Sequence, residues 1–174
     1  MTTKPPETLT LDRVPTPIGD ALIVVDGQAR LCAFDWEDYE DRLARLVRRF
    51  LGPVELKPGP APAAIRRPIE AYFRGDLDGL GTIACRIAGT AFQHSVWTAL
   101  RDIRAGTTES YGGLAVRLGR PNAVRAVGLA NGANPISVVV PCHRVIGSDG
   151  SLTGYGGGLP RKRWLLEHGR AILT

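Results

Sequence analysis

Residues 110–147 read SYGGLAVRLGRPNAVRAVGLANGANPISVVVPCHRVIG, and the changes of period inside this stretch decide the kind of fold the chain adopts. Ser110 is a good helix cap, and Tyr111, Leu114, Ala115 and Leu118 follow at i, i+3, i+4 and i+7, one apolar face of a helix that Gly119 can close. Pro121 suits the first turn of a second short helix over 122–131, whose inner face the spacing assigns to Val124, Val127 and Ala130. Two short helices and a tight turn predict a helix-turn-helix. Gly128 and Gly132 weaken the second helix intrinsically, which points to a close approach of its backbone to something else. The period then changes: Val138-Val139-Val140, bounded by Pro135 and Pro141, predicts a short buried strand delivering Cys142 to an exposed end.

Outward from this stretch, Ser148-Asp149-Gly150-Ser151 reads as a hairpin turn and 161–168 as a final basic helix ending near Gly169. On the other side, Thr90-Ala91-Phe92-Gln93 has the form of a capping box and opens a helix with an apolar face of Phe92, Val96, Leu100 and Ile103. A domain is therefore expected over 89–174.

The preceding residues, 1–88, predict a small α/β unit. Residues 20–25 and 28–34 are β-rich runs joined by Asp26-Gly27, a dipeptide suited to a tight hairpin. Leu43, Leu46, Val47 and Phe50 mark a helix over 38–51. A Pro/Gly-rich connector, 53–62, leads to a helix through Ile65, Ile69, Tyr72 and Phe73, and 81–88 is expected to form one more strand. The fold class expected is α+β, in two domains.

Composition narrows the function. With 174 residues, 44% of them hydrophobic and 22% charged, the chain can bury apolar cores, and no stretch approaches the roughly 20 apolar residues that span a bilayer. The N-terminus has no apolar segment of a secretory type, so a cytoplasmic protein without membrane partners is expected. Cys32, Cys85 and Cys142 are odd in number and lack Cys-x-x-Cys spacing, which argues against a disulfide framework and, with three histidines, against a metal site. No cofactor motif is present. Residues 1–88 carry 12 Lys and Arg against 13 Asp and Glu, whereas 89–174 carry 10 against 4, so a polyanionic partner suits the second half.

Pro141-Cys142-His143-Arg144 sets a thiol beside an imidazole and a guanidinium, and neighbouring positive charge favours the thiolate. Two readings stand on this alone: a reactive cysteine, or a small core residue after a valine run. Adjacent side chains on a strand point to opposite faces, so contact between Cys142 and His143 needs a local bend.

The whole run from Asn134 to Gly147 resembles the active-site signature of the O6-alkylguanine-DNA alkyltransferases. The resemblance extends over 89–168, through Gly89-Thr90, Phe92-Gln93, Val96-Trp97, Ser110-Tyr111-Gly112, Arg125-Ala126-Val127-Gly128, Gly154-Tyr155 and Gly157-Gly158. It implies a ribonuclease-H-like first domain and a winged-helix-like DNA-binding second domain. It further implies that Cys142 takes the alkyl group from a flipped-out guanine, irreversibly and once per molecule, with no cofactor. His143 would deprotonate Cys142 through a water, Tyr111 would donate its proton toward the departing guanine oxygen, and Asn134 would hydrogen-bond near the thiolate. Val145 and Tyr155 would line the guanine pocket. Arg125 would fill the gap left in the duplex, Ala126 and Gly128 would let the helix approach the minor groove, and Ser110 would be a DNA-binding residue. Arg120, Arg161, Lys162 and Arg163 are candidate phosphate contacts. The partner implied is double-stranded DNA containing O6-alkylguanine, bound by a monomer.

The family usually ends its last helix with a Glu that orients the histidine, five residues after the position of Trp164; here that position is Gly169. Glu167 lies two residues earlier, roughly 200° around a helix, and does not replace it. Slower transfer is the expected consequence. A non-catalytic lesion-binding protein is the nearest alternative, ahead of a cysteine hydrolase, for which no oxyanion-hole motif is found, and of a major-groove transcription factor.

Overall fold

The computed structural model describes residues 3–171. The first half is built on a four-stranded sheet in the order β3-β2-β1-β4, from β1 (Glu7–Val14), β2 (Ala21–Val25), β3 (Leu31–Trp36) and β4 (Val54–Pro58). Strand β2 is antiparallel to both β1 and β3, and β4 adds parallel to β1. Helix α1 (Glu40–Leu51) connects β3 to β4, and α2 (Ala63–Phe73) follows.

Both faces of the central strands are covered, which is why β2 and β3 read as nearly unbroken apolar runs. Leu22, Val24, Cys32 and Ala33 pack with Leu43 and Val47 of α1 on one face. Ala21, Ile23, Val25, Phe34 and Trp36 enter a larger core on the other, which also takes in Ile69, Tyr72, Trp97, Ile136 and Val140. One core thus runs through both halves. Trp36, Trp97, Tyr72 and Phe34 are its largest fully buried side chains, each contributing about 4–6 kcal/mol of transfer free energy as an upper bound.

The second half is mainly helical. Helix α3 (Ala91–Arg101) begins with the expected capping box, in which Thr90 Oγ1 accepts from Gln93 N–H and Gln93 Oε1 accepts from Thr90 N–H. The next elements are β5 (Glu109–Ser110), α4 (Tyr111–Arg117), α5 (Val124–Gly132), β6 (Val145–Ile146) and α6 (Leu159–His168), with β5 and β6 pairing in parallel. Ser110 Oγ caps α4 by accepting from Gly113 N–H at 2.9 Å. The indole N–H of Trp97 donates to the carbonyl of Ala130 at 2.8 Å, tying α3 to the end of α5. An aromatic joint closes the two halves: His168 stacks on Trp164 at 4.5 Å and meets Phe73 and Tyr72 of α2. Among the described residues no helix is long and apolar enough to cross a membrane.

Several expectations are corrected. Strand β1 lies in what reads as a tail, and β4 inside the Pro/Gly-rich connector; pairing with each other, not propensity, makes them strands. Residues 81–88 do not form a strand: a 3₁₀ turn over Gly79–Thr82 gives way to an extended segment with a single bridge, Leu31 to Cys85. In the β2–β3 connection the positive φ falls on Ala29 instead of Gly27, because the Asp26 carboxylate accepts from the Gln28 and Arg30 amides and holds a longer turn. Helix α5 starts at Val124, which is 40% exposed, and its inner face is Val127, Ala130 and Asn131. The valine run is no strand either: Val138 has φ +69°, and Val139, Val140 and Cys142 N–H groups bond to local carbonyls.

Candidate active site and nucleic-acid interface

The segment 134–144 is folded onto β3, where Phe34 N–H donates to Pro135 O and Ser137 N–H donates to Phe34 O. Asn134 organises the turn that follows: its Oδ1 accepts from Ile136 N–H at 3.0 Å and its Nδ2 donates to Val140 O at 2.8 Å. The chain then enters a 3₁₀ turn, Cys142–Arg144, that supplies the bend needed after the valines. Cys142 is buried, 7% exposed, and not at an exposed end as its sequence position suggested. It sits in the wall of a pocket of about 230 Å³ that Tyr111, Gly128, Asn131, Asn134 and Tyr155 also line. Burial raises the thiol's pKa above its ordinary value; the Asn134 amide, Lys162 and Arg42 oppose that rise without cancelling it.

Tyr111, at the start of α4, is half-buried and donates its hydroxyl proton to Thr153 O at 3.1 Å. Burial raises its pKa, so it keeps its proton. The buried Tyr155 hydroxyl has no partner among the described residues, and burial raises its pKa as well. His143 is 1% exposed, and neither ring nitrogen has a partner among the described residues. Burial, then the charges of Arg144 and Lys162, put its pKa well below the usual value, so the ring is neutral near pH 7. Gly169 stands at the end of α6 with φ −72° and has no side chain to offer it.

Val145 is fully buried and does not line the pocket; its carbonyl instead accepts from Lys162 Nζ at 2.6 Å. Lys162 also donates to Thr153 O at 3.0 Å and Gly154 O at 3.2 Å, is 0% exposed, and is therefore no phosphate contact. Its place was readable: Lys162 precedes Leu165 and Leu166 by three and four residues and shares their buried face. Arg161 is turned inward too, donating to Ile18 O and pairing with Asp38, its guanidinium carbon 4.8 Å from the Trp36 ring. The loop before α6 is held against that same indole. A Cβ at Gly157 would fall 2.7 Å from Trp36 Nε1 and 2.8 Å from Tyr155 Cε1, so only glycine fits there.

Arg125 and Ala126 are exposed on α5, and Arg125 has no ion-pair partner among the described residues. Gly128 faces inward, its Cα side 3.8 Å from Tyr111 Cδ1 as measured from where a Cβ would be. Arg120 and Arg163 are exposed, Arg120 over the Phe92 ring at 5.6 Å. The sequence reading missed Arg42 and Asn131. Asn131, buried, donates to Cys142 O at 3.4 Å.

A buried thiol thus shares a pocket with a protonated phenol beside the two short helices of a helix-turn-helix, an arrangement that suits chemistry at a cysteine. The family described as the 6-O-methylguanine DNA methyltransferase DNA-binding domain matches residues 91–171. The methylated-DNA–protein-cysteine methyltransferase of Salmonella typhimurium is 49% identical over 160 residues, covering 90% of this chain and 93% of that protein. That of Mycobacterium tuberculosis is 54% identical over 126 residues, 71% of this chain and 76% of that one. Among solved structures, Mycobacterium tuberculosis OGT in complex with DNA is 38% identical with a TM-score of 0.78, covering 92% of each chain. The O6-methylguanine-DNA methyltransferase of Pyrococcus kodakaraensis is 26% identical with a TM-score of 0.74, covering 92% of this chain and 98% of that one. The chain belongs to the methylated-DNA–protein-cysteine methyltransferase family.

Proposed function

We propose that this chain repairs DNA by direct reversal, moving an alkyl group from the O6 oxygen of guanine to Cys142. The observation that carries the reading is the Cys142 thiol in the wall of the pocket that opens beside α5. The thiolate attacks the alkyl carbon, a sulfur–carbon bond forms as the carbon–oxygen bond breaks, and the electron pair passes to the base. Tyr111, protonated and lining the same pocket, meets that charge with its hydroxyl proton. Asn134 holds the segment bearing the thiol, and Tyr155 bounds the space for the base. The thioether is not hydrolysed, so each molecule acts once. Residues 89–174 form the DNA-binding and acceptor unit, with Arg125 and Ala126 of α5 toward the minor groove; residues 1–88 hold it in place. The protein works as a cytoplasmic monomer on double-stranded DNA.

Intact mass after incubation with a duplex containing one O6-methylguanine tests this. A gain of one methyl per chain, mapped to the Cys142 peptide, is the expected result; lesion-dependent binding without any gain overturns it in favour of a lesion-recognition protein.

The unpartnered His143 implies a proton acceptor that nothing orients. Gly169→Glu is expected to speed single-turnover transfer about tenfold, less than the roughly 10⁴-fold dependence of a serine triad because a thiol relies less on its base. The φ of −72° there suits any residue, and a Cβ 3.3 Å from Leu165 O needs the helix end to give by a few tenths of an ångström. An unchanged rate in a normally folded variant means that proton removal is not limiting.

A further inference from the structure

The pocket around Cys142 takes part of its wall from the first half of the chain. Arg42, on α1, lines it together with Cys142, Tyr111 and Tyr155. Its guanidinium is fixed: Nε donates to Asp35 Oδ2 at 2.8 Å and Nη2 to Oδ1 at 2.5 Å, a two-pronged pair with a β3 carboxylate that is 3% exposed. The Arg42 guanidinium carbon lies 4.4 Å from the centre of the Tyr39 ring. Gly156 packs against the guanidinium so closely that a Cβ would fall on Nη1. Asp35 does not line the pocket, so the pocket meets the cation and not its counter-ion.

We propose that Arg42 is a positioning residue of the transfer: locked by Asp35, it gives the pocket a fixed positive charge that stabilises the Cys142 thiolate before attack and the negative charge passing to the base as the carbon–oxygen bond breaks. This rests on Cys142 being the alkyl acceptor. Arg42 neither gives nor takes a proton in the step, since a guanidinium stays charged throughout. The groups facing the thiol come from every side. Lys162 of α6 is the other cation; Tyr111 of α4 and Tyr155 of the glycine-rich loop are phenols kept neutral by burial; His143 is a neutral neighbour; Asn134 offers an amide. The two cations differ in one respect. Burial lowers the Lys162 pKa to about 8, so its support fades as pH rises through that value, whereas that of Arg42 persists.

The test is the rate of Cys142 modification by iodoacetamide from pH 5 to 10, read on the Cys142 peptide so that Cys32 and Cys85 do not contribute. Arg42→Gln leaves a buried carboxylate unpaired, so the double variant Arg42→Gln/Asp35→Asn accompanies it, with Arg42→Lys as the charge-keeping control. Thermal melts establish that the variants are folded. At any pH below the thiol's midpoint the rate is expected to fall about tenfold in whichever charge-removing variant folds, equivalent to a rise of about one pH unit in that midpoint, and to stay near wild type in Arg42→Lys. A wild-type pH–rate profile in a folded charge-removing variant overturns the proposal. No DNA is present, so this result is independent of whether the repair reading, tested on a methylated duplex, holds.

Discussion

A chain carrying Cys142→Ala is expected to gain no mass from a methylated duplex, a complete loss, while still binding the lesion within a few-fold of wild type. Removing one sulfur from a residue 7% exposed in a pocket wall deletes a small buried volume, and a free cysteine packs as a small hydrophobe, so the cost to stability is about 1 kcal/mol. Nothing that organises the pocket is lost with it. Asn134 continues to bond Val140 O, and the Cys142 carbonyl that Asn131 meets is backbone. The other thiols are poor substitutes. Cys32 is buried between the sheet and α1, its pKa pushed up to about 11 by burial and the nearby Asp26, and burial raises that of Cys85 too. Neither lines the pocket. Intact mass and a lesion-binding titration on the same preparation decide the matter: mass gain in Cys142→Ala would move the acceptor elsewhere, and loss of both binding and transfer would mean the thiol also shapes the site.

Lys162→Met is expected to have the second largest effect, slowing transfer at pH 7 by about tenfold or more and lowering the melting temperature by roughly 5–10 °C. The buried ammonium gathers three carbonyls, Val145 O, Thr153 O and Gly154 O, and thereby fixes the loop carrying Tyr155 to the strand after the active-site turn. Methionine fills the space and donates to none of them, and stranding those acceptors costs about 2–3 kcal/mol net. It also removes a cation that lowers the Cys142 pKa, which accounts for the rate. A pH signature separates this from loose packing. The lysine pKa falls from 10.5 to about 8 on folding, because burial disfavours the charge. Between those values the unfolded chain holds more protons than the folded one, so stability rises with pH across that window and carries the full penalty below it. Melts of wild type from pH 7.5 to 10.5 are expected to show that rise superimposed on other titrations, and Lys162→Met to lack it; parallel curves would rule out Lys162 as its source.

Much of the site was legible because local chemistry is local. Ser110 caps a helix and Thr90 with Gln93 closes a capping box wherever those residues fold, since the bonds span three residues. What failed was inference across distance. β4 was hidden in a Pro/Gly-rich segment because its evidence is a partner strand some fifty residues away. The valines before Cys142 looked like a strand, yet no neighbouring strand accepts them and they turn locally instead. Arg161 read as a surface charge because its buried partner, Ile18 O, lies elsewhere in the chain, and Lys162 did so although its helical spacing from Leu165 and Leu166 marked the buried face.

By itself the sequence determined the family and the helix-turn-helix and singled out Cys142 as the proposed nucleophile, because each is written in a contiguous run whose residues act on their near neighbours. Tertiary structure alone decided that Cys142 is buried instead of exposed, that Val145 contributes a carbonyl and no pocket wall, and that Arg42 from α1 reaches the pocket of a thiol a hundred residues later. Those outcomes depend on which surfaces meet when the sheet and the helical half close over one shared core, and that closure is a long-range balance of burial, charge and shape.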